Sequence, residues 1–103
     1  MTQVDIVIPR DHPSAAGHFP GNPIVPAALL LSEVIRAWEK IIVAPLEKIT
    51  IKVAKFLSPT RPGDTVTIQF ETVTPTQVKF QCSVLATLVL SGNFEYSVAR
   101  VNS

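Results

Sequence analysis

The stretch Gly17-His18-Phe19-Pro20-Gly21-Asn22-Pro23-Ile24-Val25-Pro26 decides how the rest of this chain is read. It sets one imidazole among three prolines spaced three residues apart, and it runs straight into an apolar segment. Each proline fixes its own φ and restricts the residue before it. Such bracing suits a ring that must be held against a substrate, and a flexible surface loop has no use for it. The segment that follows opens with Pro26, a residue well suited to the first turn of a helix. The free N–H groups of that helix start can meet a carbonyl oxygen or an anion.

Working outward, residues 10–26 contain four prolines and two glycines and read as a long ordered loop. Loops of that length without secondary structure are usually functional. Upstream, Val4, Ile6 and Ile8 alternate with Asp5 and Val7, which predicts a short strand ending at Pro9. Downstream, the spacing predicts a helix over 27–42. Leu30, Val34, Ala37, Trp38 and Ile41 share a broad apolar face, widened by Leu31, Ile35 and Ile42. Only Glu33, Arg36 and Lys40 form a polar stripe. So narrow a stripe predicts burial on most sides, as when a sheet wraps a central helix.

The second half alternates as strands. Ile49, Ile51 and Val53 form one run, with a phase slip near Ala54–Phe56 that predicts a bulge there. Arg61-Pro62-Gly63-Asp64 is a turn. Val66, Ile68 and Phe70, then Val78, Phe80, Cys82 and Val84, then Leu88, Leu90, Phe94, Tyr96 and Val98 complete the pattern, with Gly92 in phase. Half-buried antiparallel strands beside one helix predict an α+β domain spanning 1–103.

Composition narrows the function classes. A chain of 103 residues forms one modest core, and a domain this small buries only about 65% of its unfolded surface, so a partner subunit would help it. A formal charge of +1 supplies no field for nucleic acid. Cys82 is the only cysteine, which rules out an internal disulfide or thiolate metal cluster, and no metal is expected. No apolar run reaches membrane-spanning length, and no signal-peptide pattern opens the chain. A cytoplasmic location is the simplest expectation.

The element order and the loop resemble the hot-dog fold, an antiparallel sheet wrapped around one central helix. Within it they resemble the 3-hydroxyacyl-[acyl-carrier-protein] dehydratases. His18-Phe19-Pro20-Gly21-Asn22-Pro23-Ile24-Val25-Pro26 looks like that family's H-F-P-x-x-P-x-x-P-G loop. Lys55-Phe56-Leu57-Ser58-Pro59, followed by Arg61-Pro62-Gly63-Asp64, resembles its K-F-x-x-P-V-x-P-G-D strand and turn. The resemblance covers nearly the whole chain.

What the resemblance implies is dehydration of a 3-hydroxyacyl thioester to the trans-2-enoyl thioester, within fatty-acid or polyketide-like lipid biosynthesis. The substrate would ride on the phosphopantetheine of acyl-carrier protein or on coenzyme A, with no further cofactor. His18 matches the family's histidine that acts on the C2 proton. The family's helix glutamate, which handles the leaving hydroxyl from the other subunit of a dimer, falls fourteen residues on, where this chain has Ser32. The family's glycine after the loop is here Ala27, whose N–H matches the donor that polarises the thioester. Phe19, Gly21, Pro26, Leu30, Leu31 and Phe56 are the expected substrate-binding residues. A homodimer is expected, with a trimer of dimers as a larger assembly.

The residues themselves qualify these roles. An imidazole titrates at about 6.5, which suits a base near neutrality. Serine orients water but donates a proton poorly. Glu33, one position further, lies about 100° around the helix, and Arg36 three residues ahead favours a surface ion pair. Arg10, Lys52, Lys55, Arg61 and Lys79 are cations that could meet phosphopantetheine or an acidic carrier surface. Three readings stay open: a dehydratase, a hot-dog acyl thioesterase, and a non-catalytic acyl-thioester binding homologue.

Overall fold

The structure is a computed structural model, and it describes residues 2–9 and 24–99. The described residues form one helix and five strands: β1 (Thr2–Val7), α1 (Ala27–Ile42), β2 (Leu46–Phe56), β3 (Thr65–Thr74), β4 (Gln77–Val84) and β5 (Thr87–Val98). All strands join one antiparallel sheet in the order β1-β3-β4-β5-β2. The single helix with the sheet around it is the hot-dog fold.

The alternation in β3 and β4 becomes the core directly. Ile68 pairs across the sheet with Cys82, and Phe70 with Phe80; Val66 and Val78 extend the two rows, and all six are buried. Each strand keeps polar residues on its other face, so a one-residue slip would expose the whole apolar set. From α1, Leu30, Val34, Ala37 and Trp38 bury in the same core. Trp38 sits 5.0 Å from Phe70, centroid to centroid, with Phe94 and Tyr96 meeting its ring edge-on. Burial of α1 is less complete than its apolar breadth predicts. Leu31, Ile35, Ile41 and Ile42 are only partly buried, and Ala27, Ala28 and Leu29 are exposed.

Two strand readings need correction. The irregularities of β2 fall at Leu46/Lys48 and Ile51/Val53, upstream of the slip expected near Ala54–Phe56. The second lies beside Gly92 of β5, which opposes Ala54 and lets the Val53 carbonyl approach more closely than a side chain would allow. In β5 a further register shift opposite Cys82/Ser83 turns both Val89 and Leu90 inward and leaves Leu88 exposed.

Turn chemistry closes the sheet. Pro62 and Gly63, with Gly63 at φ 92°, build a tight turn in which Asp64 N–H donates to the Arg61 carbonyl. The Asp64 carboxylate accepts from Arg61 N–H at 2.8 Å. This turn grips the end of β1: Gly63 N–H donates to the Ile8 carbonyl, and Ile8 N–H donates to the Asp64 carbonyl. After α1, the Glu39 carboxylate accepts from Leu46 N–H and fixes where β2 begins.

Candidate functional site

The site is built where α1 starts. Pro26 is the N-cap, with extended ψ and no side-chain cap, so the helix opens with no side chain satisfying its first amides. The residue before it is held from outside the helix: Val25 N–H donates to the Thr60 carbonyl at 2.7 Å. That bond lays the approach to the helix along the connection between β2 and β3. Leu57 N–H in turn donates to the Val89 carbonyl, tying the same connection to β5.

A cleft of about 370 Å³ lies between these parts, lined by Ile24, Val25, Pro26, Ala27, Leu30, Phe56, Leu57, Ser58, Pro59 and Thr60. Its walls are mostly apolar. Its polar features are the open start of α1, Ser58 and Thr60. A mostly apolar cleft with a few convergent polar groups is the usual form of a small-molecule site. An apolar chain can lie along Leu30 and Phe56 while a carbonyl oxygen meets the Ala27 end of the helix dipole.

Four of the sequence-designated residues meet here: Pro26, Ala27, Leu30 and Phe56. Leu31 does not line this cleft and packs partly against the core. Ser32 is exposed, and its hydroxyl donates to the Ala28 carbonyl one turn back at 3.0 Å. Glu33 turns elsewhere, forms an ion pair with Arg36 at 3.8 Å, and lines a separate depression against β1 with Val4, Asp5 and Ile6. Neither residue lies in the cleft within one subunit. None of the described residues lining it carries a carboxylate. His18, Phe19 and Gly21 lie outside the described residues, as do Arg10 and His12.

The candidate lysines sit elsewhere. Lys55 and Lys79 border a depression of about 390 Å³ on the sheet, together with Glu71, Gln69 and Gln81. Glu71 stands directly across from Lys79, so opposite charges face each other there. Lys52 pairs with Glu95 at 3.4 Å. Cys82 is core, and burial pushes its thiol up to about 12, so it stays protonated and unreactive. Among the described residues, no group of three His, Cys, Asp or Glu side chains is arranged to hold a metal ion, and no helix is long and apolar enough to cross a membrane.

Sequence reasoning missed Thr60. It is 2% exposed, it lines the cleft, and its hydroxyl has no hydrogen-bond partner among the described residues. The signal was present, because Thr60 stands where the K-F-x-x-P-V-x-P-G-D pattern has valine.

Comparison with known proteins agrees with this architecture. A curated 3-hydroxyacyl-[acyl-carrier-protein] dehydratase FabZ from Chlamydia trachomatis serovar L2 is 36% identical over 70 residues, covering 59% of this chain and 46% of that protein. Its namesake from Levilactobacillus brevis is 32% identical over 98 residues, covering 84% and 66%. The chain thus spans roughly half to two thirds of the length of these relatives. Among solved structures, the dehydratase heterocomplex ApeI:P from Xenorhabdus doucetiae superposes with a TM-score of 0.78 at 17% identity, covering 91% of this chain and 84% of that one. A point mutant of the fluoroacetyl-CoA-specific thioesterase FlK superposes with a TM-score of 0.59 at 19% identity, covering 96% and 88%. The fold is thus shared by dehydratases and thioesterases alike. The profile of the ApeI-like family, described as ApeI dehydratase, matches residues 1–93, and the chain belongs to that family.

Proposed function

We propose that this chain acts on a 3-hydroxyacyl thioester, carried by acyl-carrier protein or coenzyme A, and removes water to leave the trans-2-enoyl thioester. The observation that carries the reading is the apolar cleft at the uncapped start of α1, joined in sequence to the proline-braced His18 segment. In this reading the thioester carbonyl lies at the Ala27 N–H, where the helix dipole stabilises the negative charge that develops on the oxygen. His18 takes the proton from C2. The electron pair left on C2 forms the C2–C3 double bond as the C3–O bond breaks. The hydroxyl leaves as water by taking from the His18 imidazolium the proton that came from C2. Ser32, from a second subunit, orients that leaving group through its hydroxyl, in place of a carboxylic acid.

The acid is the weak element of this arrangement. Without a carboxylate the departing hydroxyl gets little help, so turnover is expected to be slow or specialised. The lack of a carboxylate among the described residues lining the cleft also favours one other reading, a homologue that binds acyl thioesters without converting them. Turnover assays with 3-hydroxyacyl and plain acyl thioesters separate these two from each other and from a thioesterase. The dehydratase forms enoyl product from the first only. A thioesterase releases free thiol from the plain acyl substrate, and a binding protein does neither. Within the dehydratase reading, His18→Ala lowers the rate by roughly two to four decades at an unchanged melting temperature. Full turnover in that variant eliminates the mechanism.

A further inference from the structure

Thr60 presents an unusual combination. Its carbonyl is committed to Val25 N–H, its side chain is buried, and its hydroxyl oxygen has no partner among the described residues. Leaving a buried hydroxyl without a partner forfeits its hydration uncompensated, and valine would fill the same volume at no such cost. Among the described residues only one other buried side-chain polar atom lacks a partner, the indole Nε1 of Trp38, and Trp38 does not line this cleft. Thr60 does line it, beside Pro26 and Ala27 at the helix start. Rotation about χ1 exchanges a threonine's hydroxyl and methyl among staggered positions, so the oxygen can be presented to a ligand without moving the backbone.

We infer that Thr60 is a specificity-determining residue of the cleft, whose hydroxyl hydrogen-bonds the 3-hydroxyl of the acyl chain and so favours oxygenated chains over plain ones. The inference rests on the cleft being the acyl-thioester site proposed above. A hydroxyl can both donate and accept, which suits a substrate hydroxyl that must do the same. The bond also repays the desolvation that the empty cleft leaves uncompensated. A plain acyl chain leaves the Thr60 hydroxyl orphaned, and a site with an unpaired buried polar group discriminates against the ligand that lacks its partner. The wall around it, Leu30, Phe56 and Leu57, supplies no competing hydrogen bond from a side chain.

The test measures binding, not turnover. Matched pantetheine conjugates are prepared in which an amide replaces the thioester, one carrying a 3-hydroxyacyl chain and one the plain acyl chain of equal length. Calorimetric titration of the wild type is expected to favour the hydroxylated conjugate by about tenfold. Thr60→Val removes that preference, leaves affinity for the plain conjugate unchanged or better, and raises the melting temperature. Thr60→Ser keeps the preference. Equal affinity of the wild type for both conjugates overturns the inference, as does a Thr60→Val variant that weakens both alike. Failure of the wild type to bind either conjugate also overturns it. Since nothing in this experiment is converted, a wild type that discriminates but never forms enoyl product refutes the dehydratase reading and leaves the role of Thr60 standing.

Discussion

Gly92 lies so close to the carbonyl of Val53 that no side chain fits between them. A Cβ built on Gly92 collides with that oxygen and comes within 3.0 Å of Phe80 Cζ. The clash is with backbone, which cannot swing away as a side chain does. Gly92→Ala must therefore push β2 outward from β5, and a cost of about 2–4 kcal/mol is expected. For a chain of this size that lowers Tm by roughly 10 °C or more. Ser91→Ala, at the neighbouring position, stays within about 0.5 kcal/mol of wild type. Equal melting temperatures for the two variants would show that β2 can shift freely.

Among the described residues, three non-glycines hold left-handed backbone: Val43 at φ 55°, Leu85 at 49° and Ala86 at 66°. Val43 caps the end of α1, and the other two form the hairpin turn between β4 and β5. Val43 and Leu85 are almost fully exposed, so packing does not explain the choice. Val43→Gly and the pair Leu85→Asn with Ala86→Gly are each expected to add about 1 kcal/mol of stability, since these residues accept positive φ at little cost. Denaturant midpoints check this, and an unchanged or lower midpoint would contradict it.

Ser32 and Glu33 differ in direction around α1, and their variants should differ too. Glu33→Ala loses only a partly exposed pair with Arg36, no more than about 0.5 kcal/mol, and keeps turnover. Ser32→Ala lowers turnover by about tenfold at unchanged stability. Ser32→Glu installs the missing acid and raises turnover by on the order of 10². If Glu33→Ala alone abolishes activity, Ser32 is not the residue that faces the leaving group.

β2 is the long edge of the sheet, and along it Ile49, Ile51 and Phe56 are 40%, 39% and 47% exposed. Pairing this edge with a second copy would cover both the strand's free backbone groups and these side chains. Sedimentation equilibrium is expected to give a homodimer, and Ile49→Lys a monomer with unchanged far-ultraviolet circular dichroism. A wild-type monomer well above micromolar concentration refutes the dimer.

What the sequence disclosed depended on how local each signal was. The extent of α1 follows from Pro26 and the spacing of Leu30, Val34 and Trp38, all within a few turns of one another. β3 and β4 were legible because each keeps one polar face. The irregularities of β2 were misplaced because they arise in its pairing with β5, a strand distant in sequence, which alternation within β2 alone does not report. In the site, the meeting of Ala27 and Leu30 with Phe56 was anticipated from the two motifs. Thr60 was overlooked because threonine and valine have nearly the same shape, and only the environment shows what the oxygen lacks.

The turn at 60–64 has a consequence for how this protein can change. Ile8 and Val25, the points on either side of residues 10–23, are both hydrogen-bonded to Thr60–Asp64. The ends of the His18 segment are thus moored to one short piece of the frame, and the entropy of bringing them together is met by bonds that lie outside the segment. A change of sequence between these moorings leaves the backbone bonds at its two ends in place. Heredity can then rewrite the chemistry and keep the points of attachment.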